Sequence, residues 1–150
     1  FIHILGEHWL NQILGGIYHL INEDRKMVTD ENDILNDLCG LELNSIVFVR
    51  DYLQLFFDSP NLTSRPCLNV YNDPFVVLEG NIYKRKDVQF CNKLLTFIDL
   101  RVEKAICKEN ECISLFFSNE GSINISLRPE DYQGPEVAQL NIDNDNWNVW

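Results

Sequence analysis

The sequence predicts an α+β fold in which two helix-plus-three-strand units form antiparallel sheets with helices packed on them. Three observations carry that expectation. Residues 53–59 (LQLFFDS) return as residues 113–119 (ISLFFSN), and both alternate polar and apolar side chains as half-buried strands do. The flanks repeat too: Leu43–Phe48 parallels Val102–Cys107 upstream, and Leu68–Tyr71 parallels Ile123–Ser126 downstream. Finally, a short amphipathic stretch precedes each unit.

Taken in order, Glu7–Leu14 reads as a helix ended by Gly15 and Gly16, with Trp9, Leu10 and Ile13 directed inward. Asn22–Asp37 carries six acids against Arg25 and Lys26 and reads as a solvated loop. Asp33–Leu41 places Ile34, Leu35, Leu38 and Leu41 on one helical stripe. Asp87–Ile98 does the same with Val88, Cys91, Leu94, Leu95 and Ile98, and Asp87 is the expected N-cap. Pro60, Ser64 and Pro66 mark a long connection in the first unit, with residues 62–66 as an insertion; Asn119, Glu120 and Gly121 make a tight turn in the second. One domain is expected, divided into an N-terminal helical extension (1–37), two repeat units (38–86 and 87–128) and an acidic, aromatic terminal segment (129–150). Whether the two sheets join edge to edge or pack face to face is open at this level.

A chain of 150 residues and 17.5 kDa is long enough for one ordinary core. Its 23 Asp and Glu against 12 Lys and Arg give a formal charge of -11 and a pI near 4.5. Nucleic acid and anionic membranes are therefore poor partners, since both are held by basic groups. No apolar run reaches the ~18 residues of a membrane span. Phe1–Leu5 is too short for a signal-peptide core and lacks a basic flank, so the expected compartment is the cytoplasm. Five cysteines with no close-spaced pair argue against a disulfide framework and a zinc site. Cys39 and Cys91 read as buried thiols, while Cys107 and Cys112 flank a hairpin that brings them within reach of each other.

Catalytic patterns are missing. His3, His8 and His19 lack metalloprotease spacing, and no nucleophile elbow, P-loop or dinucleotide fingerprint occurs. Glu130 with Asp131, Asp143 with Asp145, and Glu109 with Glu111 are carboxylate pairs of a kind equally at home on solvated turns. Asp143–Asn146 begins like a calcium loop but lacks the glycine and distal glutamate of one. The sequence thus predicts a non-enzymatic protein with no cofactor and no metal.

The terminal segment holds five carboxylates, two tryptophans and a tyrosine without one lysine or arginine. Such a composition suits a basic protein partner, because complementary potentials speed encounter and rings supply contact energy. Its most specific run, SLRPEDYQGPEVA (residues 126–138), closes on WNVW (147–150). This resembles small acidic bacterial immunity proteins of polymorphic toxin and contact-dependent growth inhibition systems, whose pattern has two strand-rich halves, a helix between them and a similar late stretch. The resemblance spans about Leu38–Trp150. Phe1–Asp37 has no counterpart in that pattern, and Phe97, Ile98 and Asp99 stand where it has a glycine before the strand. It implies only that class, binding the C-terminal domain of a cognate toxin; the expected state is a monomer or weak homodimer. The expected contacts are Glu130, Asp131, Glu136, Asp143 and Asp145 for charge, Tyr132 and Trp147 as anchors, and Asp73 if the halves are symmetric. An adaptor for another basic protein and a carboxylate-dependent hydrolase are the alternatives.

Overall fold

The computed structural model describes residues 33–60 and 63–150. The strands are β1 (Glu42–Val49), β2 (Tyr52–Asp58), β3 (Cys67–Val70), β4 (Phe75–Leu78), β5 (Asn81–Lys84), β6 (Val102–Lys108), β7 (Cys112–Phe117), β8 (Ser122–Ser126), β9 (Ala138–Asn141) and β10 (Trp147–Val149). They form two antiparallel five-stranded sheets, ordered β1-β2-β3-β9-β10 and β5-β4-β8-β7-β6.

Those two orders are one plan used twice. Each half of the chain supplies a three-stranded meander followed by a hairpin, and each hairpin joins the other half's meander. Hairpin β9–β10 lies beside β3, with Leu68 opposite Leu140, and β4–β5 lies beside β8, with Ile123 opposite Val76. Even the irregularities match: the ladder slips between Leu43 and Ser45 in β1 and between Val102 and Lys104 in β6. Placed against the partner residues Phe57 and Phe117, these are the same position in each meander.

This corrects the expected fold class. Among the described residues the chain is mostly β, with only two short helices, so helices do not form a layer on the sheets there. Each sheet is apolar on one face and must bury it. The cover is chiefly the other sheet: Leu43, Leu55, Phe57, Leu68 and Leu140 share one core with Val76, Val102, Leu115, Phe117, Ile123 and Ile125. Leu35 and Leu38, at and just after the helical turn 33–36, and Phe90, Leu94 and Phe97 complete it. Phe97 meets Phe117 edge-on at 4.9 Å between ring centroids, a favourable aromatic geometry.

The second helix covers only Phe90–Leu95, and its first residue follows Gln89, which makes no side-chain cap. Asp87 is not the N-cap, because its Oδ2 accepts the Lys84 N–H at 2.7 Å and closes the turn after β5 instead. The buried stripe is Phe90, Leu94 and Phe97; Val88 is 98% exposed and Cys91 is exposed. A helix of six residues has little stability of its own, so packing chose the stripe. Asp99, at φ 69°, ends the turns that follow.

Hairpin β4–β5 turns at Glu79 and Gly80, with φ of 53° and 75°. Two successive positive φ values match the twist of a tight hairpin and explain the glycine. Cys107 stands opposite Ile113 and Cys112 opposite Lys108, so the two thiols leave opposite faces of the sheet. The expected helix Glu7–Leu14, with Trp9, Leu10 and Ile13, and the three histidines lie outside the described residues.

Candidate functional site

Ser126 ends β8, and the chain must cross from there to β9 in the other sheet. The crossing residues Arg128–Glu136 are all exposed, yet the loop is tied at both ends. Asn72, 3% exposed, donates through Nδ2 to the Ser126 carbonyl at 3.2 Å and accepts the Gln133 N–H on Oδ1 at 3.1 Å. The Tyr71 and Asn72 N–H groups both donate to the Val137 carbonyl, at 2.9 and 3.2 Å. Within the loop, Pro129–Asp131 forms a 3-10 turn; Asp131 Oδ2 accepts the Ser126 hydroxyl at 2.6 Å, and the Arg128 N–H donates to that same oxygen of serine at 3.2 Å. Glu130, Tyr132 and Glu136 are thereby held outward, Tyr132 with 42% of its surface exposed.

Asp143, Asp145 and Trp147 lie at the other end of β9. Four residues of strand, at ~3.3 Å each, separate the two groups. Asp143 Oδ1 accepts the N–H groups of Asp145 and Asn146, both at 2.9 Å, which shapes the β9–β10 turn as an Asx turn. Asn146 in turn donates to Asp37 at 3.0 Å. Trp147, 57% exposed, stands opposite Asn141.

Between these acidic ends runs the outer face of the first sheet, which sequence reasoning did not single out. Register aligns Val47, Gln54, Asn69, Gln139 and Val149 in one row across all five strands, and Ser45, Phe56, Cys67, Asn141 and Trp147 in the next. Neither row contains a charged side chain. Hydrogen bonds between side-chain amides stitch them: Gln54 Nε2 donates to Asn69 Oδ1 at 2.9 Å, and Gln139 Nε2 to Asn141 Oδ1 at 3.3 Å. Beyond them Tyr71 stacks at a tilt on Tyr52, 5.5 Å between centroids, and its hydroxyl donates to Gln139 Oε1 at 3.2 Å. Burial, and then the negative charge of Glu136, push the Tyr71 hydroxyl above its usual pKa.

Asp73 and Asp131 go elsewhere. Both line a cleft of about 630 Å³ beside hairpin β4–β5, together with Asn72, Pro74, Phe75, Glu111, Cys112, Ser126 and Gln133. Four cations, Lys84, Arg85, Lys86 and Arg128, line it as well. Arg85 lies over the Phe48 and Phe90 rings, 4.8 and 5.9 Å from their centroids, and its Nη1 is buried with no acceptor. The run Lys84–Lys86 is plain in the sequence, but a whole-chain charge of -11 hides a local excess of the other sign.

Among the described residues no three His, Cys, Asp or Glu side chains gather as metal ligands would, and no helix is long and apolar enough to cross a membrane. Compared with known proteins, the chain matches no family model, no curated protein and no solved structure.

Proposed function

We propose that this chain is a non-enzymatic binding protein that grips a basic protein partner on the outer face of its first sheet, and that it acts as an immunity protein against a toxin domain. One observation carries the reading: two charge-free rows of a sheet face that bears Tyr52, Tyr71 and Trp147 lie between two ends with exposed acids, Glu130 and Glu136 at one and, beside the Asp58–Arg65 pair, Asp143 and Asp145 at the other. Protein interfaces have this anatomy, with charge depleted and aromatics enriched at the centre and a polar rim around it. The acidic ends steer a basic surface into place, toward ~10⁸ M⁻¹s⁻¹ at low salt, and the rings supply contact once water has left. Because Asn72 and Val137 tie the loop beforehand, little ordering cost falls on binding.

The toxin class comes from the resemblance of residues 126–138 and 147–150. A nuclease toxin carries a basic substrate groove, which an acidic protein occupies by standing in for phosphate charge. Asp73 and Asp131, turned to the cleft, have no part in this surface.

The test is co-expression with the toxin domain encoded immediately upstream, scored by cell survival and by pull-down. Survival with a stable complex is expected, and both should be lost with Tyr132→Ala combined with Trp147→Ala. A complex without protection would favour an adaptor, and absence of both would end the proposal.

A further inference from the structure

We propose that the cleft beside hairpin β4–β5 binds a small phosphate-bearing molecule. A volume of about 630 Å³ is that of a small-ligand site. Of the 12 Lys and Arg in the chain, four line this one cleft, and none of the four makes an ion pair with a described residue. Carboxylates elsewhere do find cations: Asp58 binds Arg65 and Glu42 binds Arg101, each at 3.1 Å.

The cleft's own acids do not neutralise it. Asp73, Asp131 and Glu111 are three acids against four cations; Asp131 keeps its charge while accepting the Ser126 hydroxyl, and Glu111 faces Lys108 at 3.8 Å. Four cations against three carboxylates, one of which already faces Lys108, leave the cleft a positive excess, and a bound anion offsets it while gaining charge-assisted hydrogen bonds. Arg85 lies over Phe48 and Phe90, which restrains its guanidinium before a ligand arrives. Arg and Lys together suit phosphate, whose oxygens accept both forked and single donors. Pro74 and Phe75 offer an apolar wall and Asp73 an acceptor, so the rest of the ligand carries a hydroxyl or amino donor. A nucleic-acid polymer does not fit, because its flanking phosphates would be repelled by a chain of formal net charge -11.

This site takes Arg128, Asp131 and Gln133 from the loop that also carries Glu130 and Tyr132 of the proposed partner face, but it needs no partner and is tested without one. Its test is an amide-resolved NMR titration with sodium pyrophosphate at fixed ionic strength, against sodium chloride and disodium succinate. Saturable shifts confined to residues 72–75, 84–86, 111–112 and 126–133 are expected with pyrophosphate, together with weaker binding of succinate. Lys86→Gln and Arg128→Gln, both at exposed positions, should each raise Kd about tenfold, ~1.4 kcal/mol. Lys104→Gln, on β6 and outside the cleft, should leave Kd unchanged. Shifts scattered over all surface lysines, equal weakening by Lys104→Gln, tighter binding of succinate, or no saturation would each overturn the proposal.

Discussion

Hairpins β4–β5 and β9–β10 hold equivalent places in the two sheets yet carry opposite chemistry. Val76 faces Ile123 as Leu140 faces Leu68, and Ile82 occupies in β5 the place that Trp147 occupies in β10. From Asn72 to Asp87 three acids, Asp73, Glu79 and Asp87, balance Lys84, Arg85 and Lys86; from Glu136 to Trp150 three acids, Glu136, Asp143 and Asp145, meet no cation. A repeated frame therefore fixes where a hairpin sits, while its outward residues are free to differ. Because each hairpin joins the other half's sheet, the acidic one decorates the face built by the first meander.

The largest expected effect breaks that exchange. Leu140 is fully buried against β3, and Leu140→Ala should cost about 2–5 kcal/mol in urea unfolding. Amide exchange should then rise first in β3, far along the chain, and not in the nearer β8. Val76→Ala, with fewer carbons removed, should cost less and loosen β8 instead.

Glycines in two connections come next. A Cβ on Gly121 would meet Phe97 Cζ at 2.8 Å and Leu78 Cδ1 at 2.9 Å, within a tight turn between β7 and β8. Gly121→Ala should destabilise by about 1–3 kcal/mol. Gly134, in the exposed loop, has nothing within 4 Å, so Gly134→Ala should stay within about 0.5 kcal/mol.

A smaller effect separates Cys67 from Ser122, which stand at matching places opposite Phe56 and Phe116. Burial pushes the Cys67 thiol from 9.0 up to about 11. The folded state then holds its proton more tightly than the unfolded chain. Its contribution to stability is complete below pH 9 and is lost as pH rises toward about 11. Unfolding free energy should fall more steeply over that window in the wild type than in Cys67→Ala. Cys91, exposed, should react with a thiol reagent at pH 8 well before Cys67.

Both meanders were legible in the sequence because alternation repeats in strands long enough to register it, as in residues 53–59 and 113–119. The β4–β5 hairpin was not, since its four-residue strands, unlike the equally short β3, lie outside the stretch that visibly repeats, and Glu79 is an unusual turn residue. Helix lengths were overestimated because a stripe containing Val88 and Leu95 looks amphipathic whether or not a core lies beneath it. The exchange of hairpins is a matter of long-range pairing, on which local pattern is silent. At the candidate site, proline and charge marked the exposed loop, but Asn72, which ties it from 54 residues away, carried no local signal. Trp147 and its acidic neighbours were found by composition, whereas the charge-free face beside them emerges only from register.

Stopped-flow association at low salt with a toxin domain encoded immediately upstream tests most directly the proposed steering of a basic partner by the acidic ends of that face. Asp143→Lys with Asp145→Lys should slow association about tenfold or more and change dissociation less, while Lys84→Gln with Lys86→Gln should leave association equal or faster. Equal association rates for the wild type and the aspartate variant would contradict it.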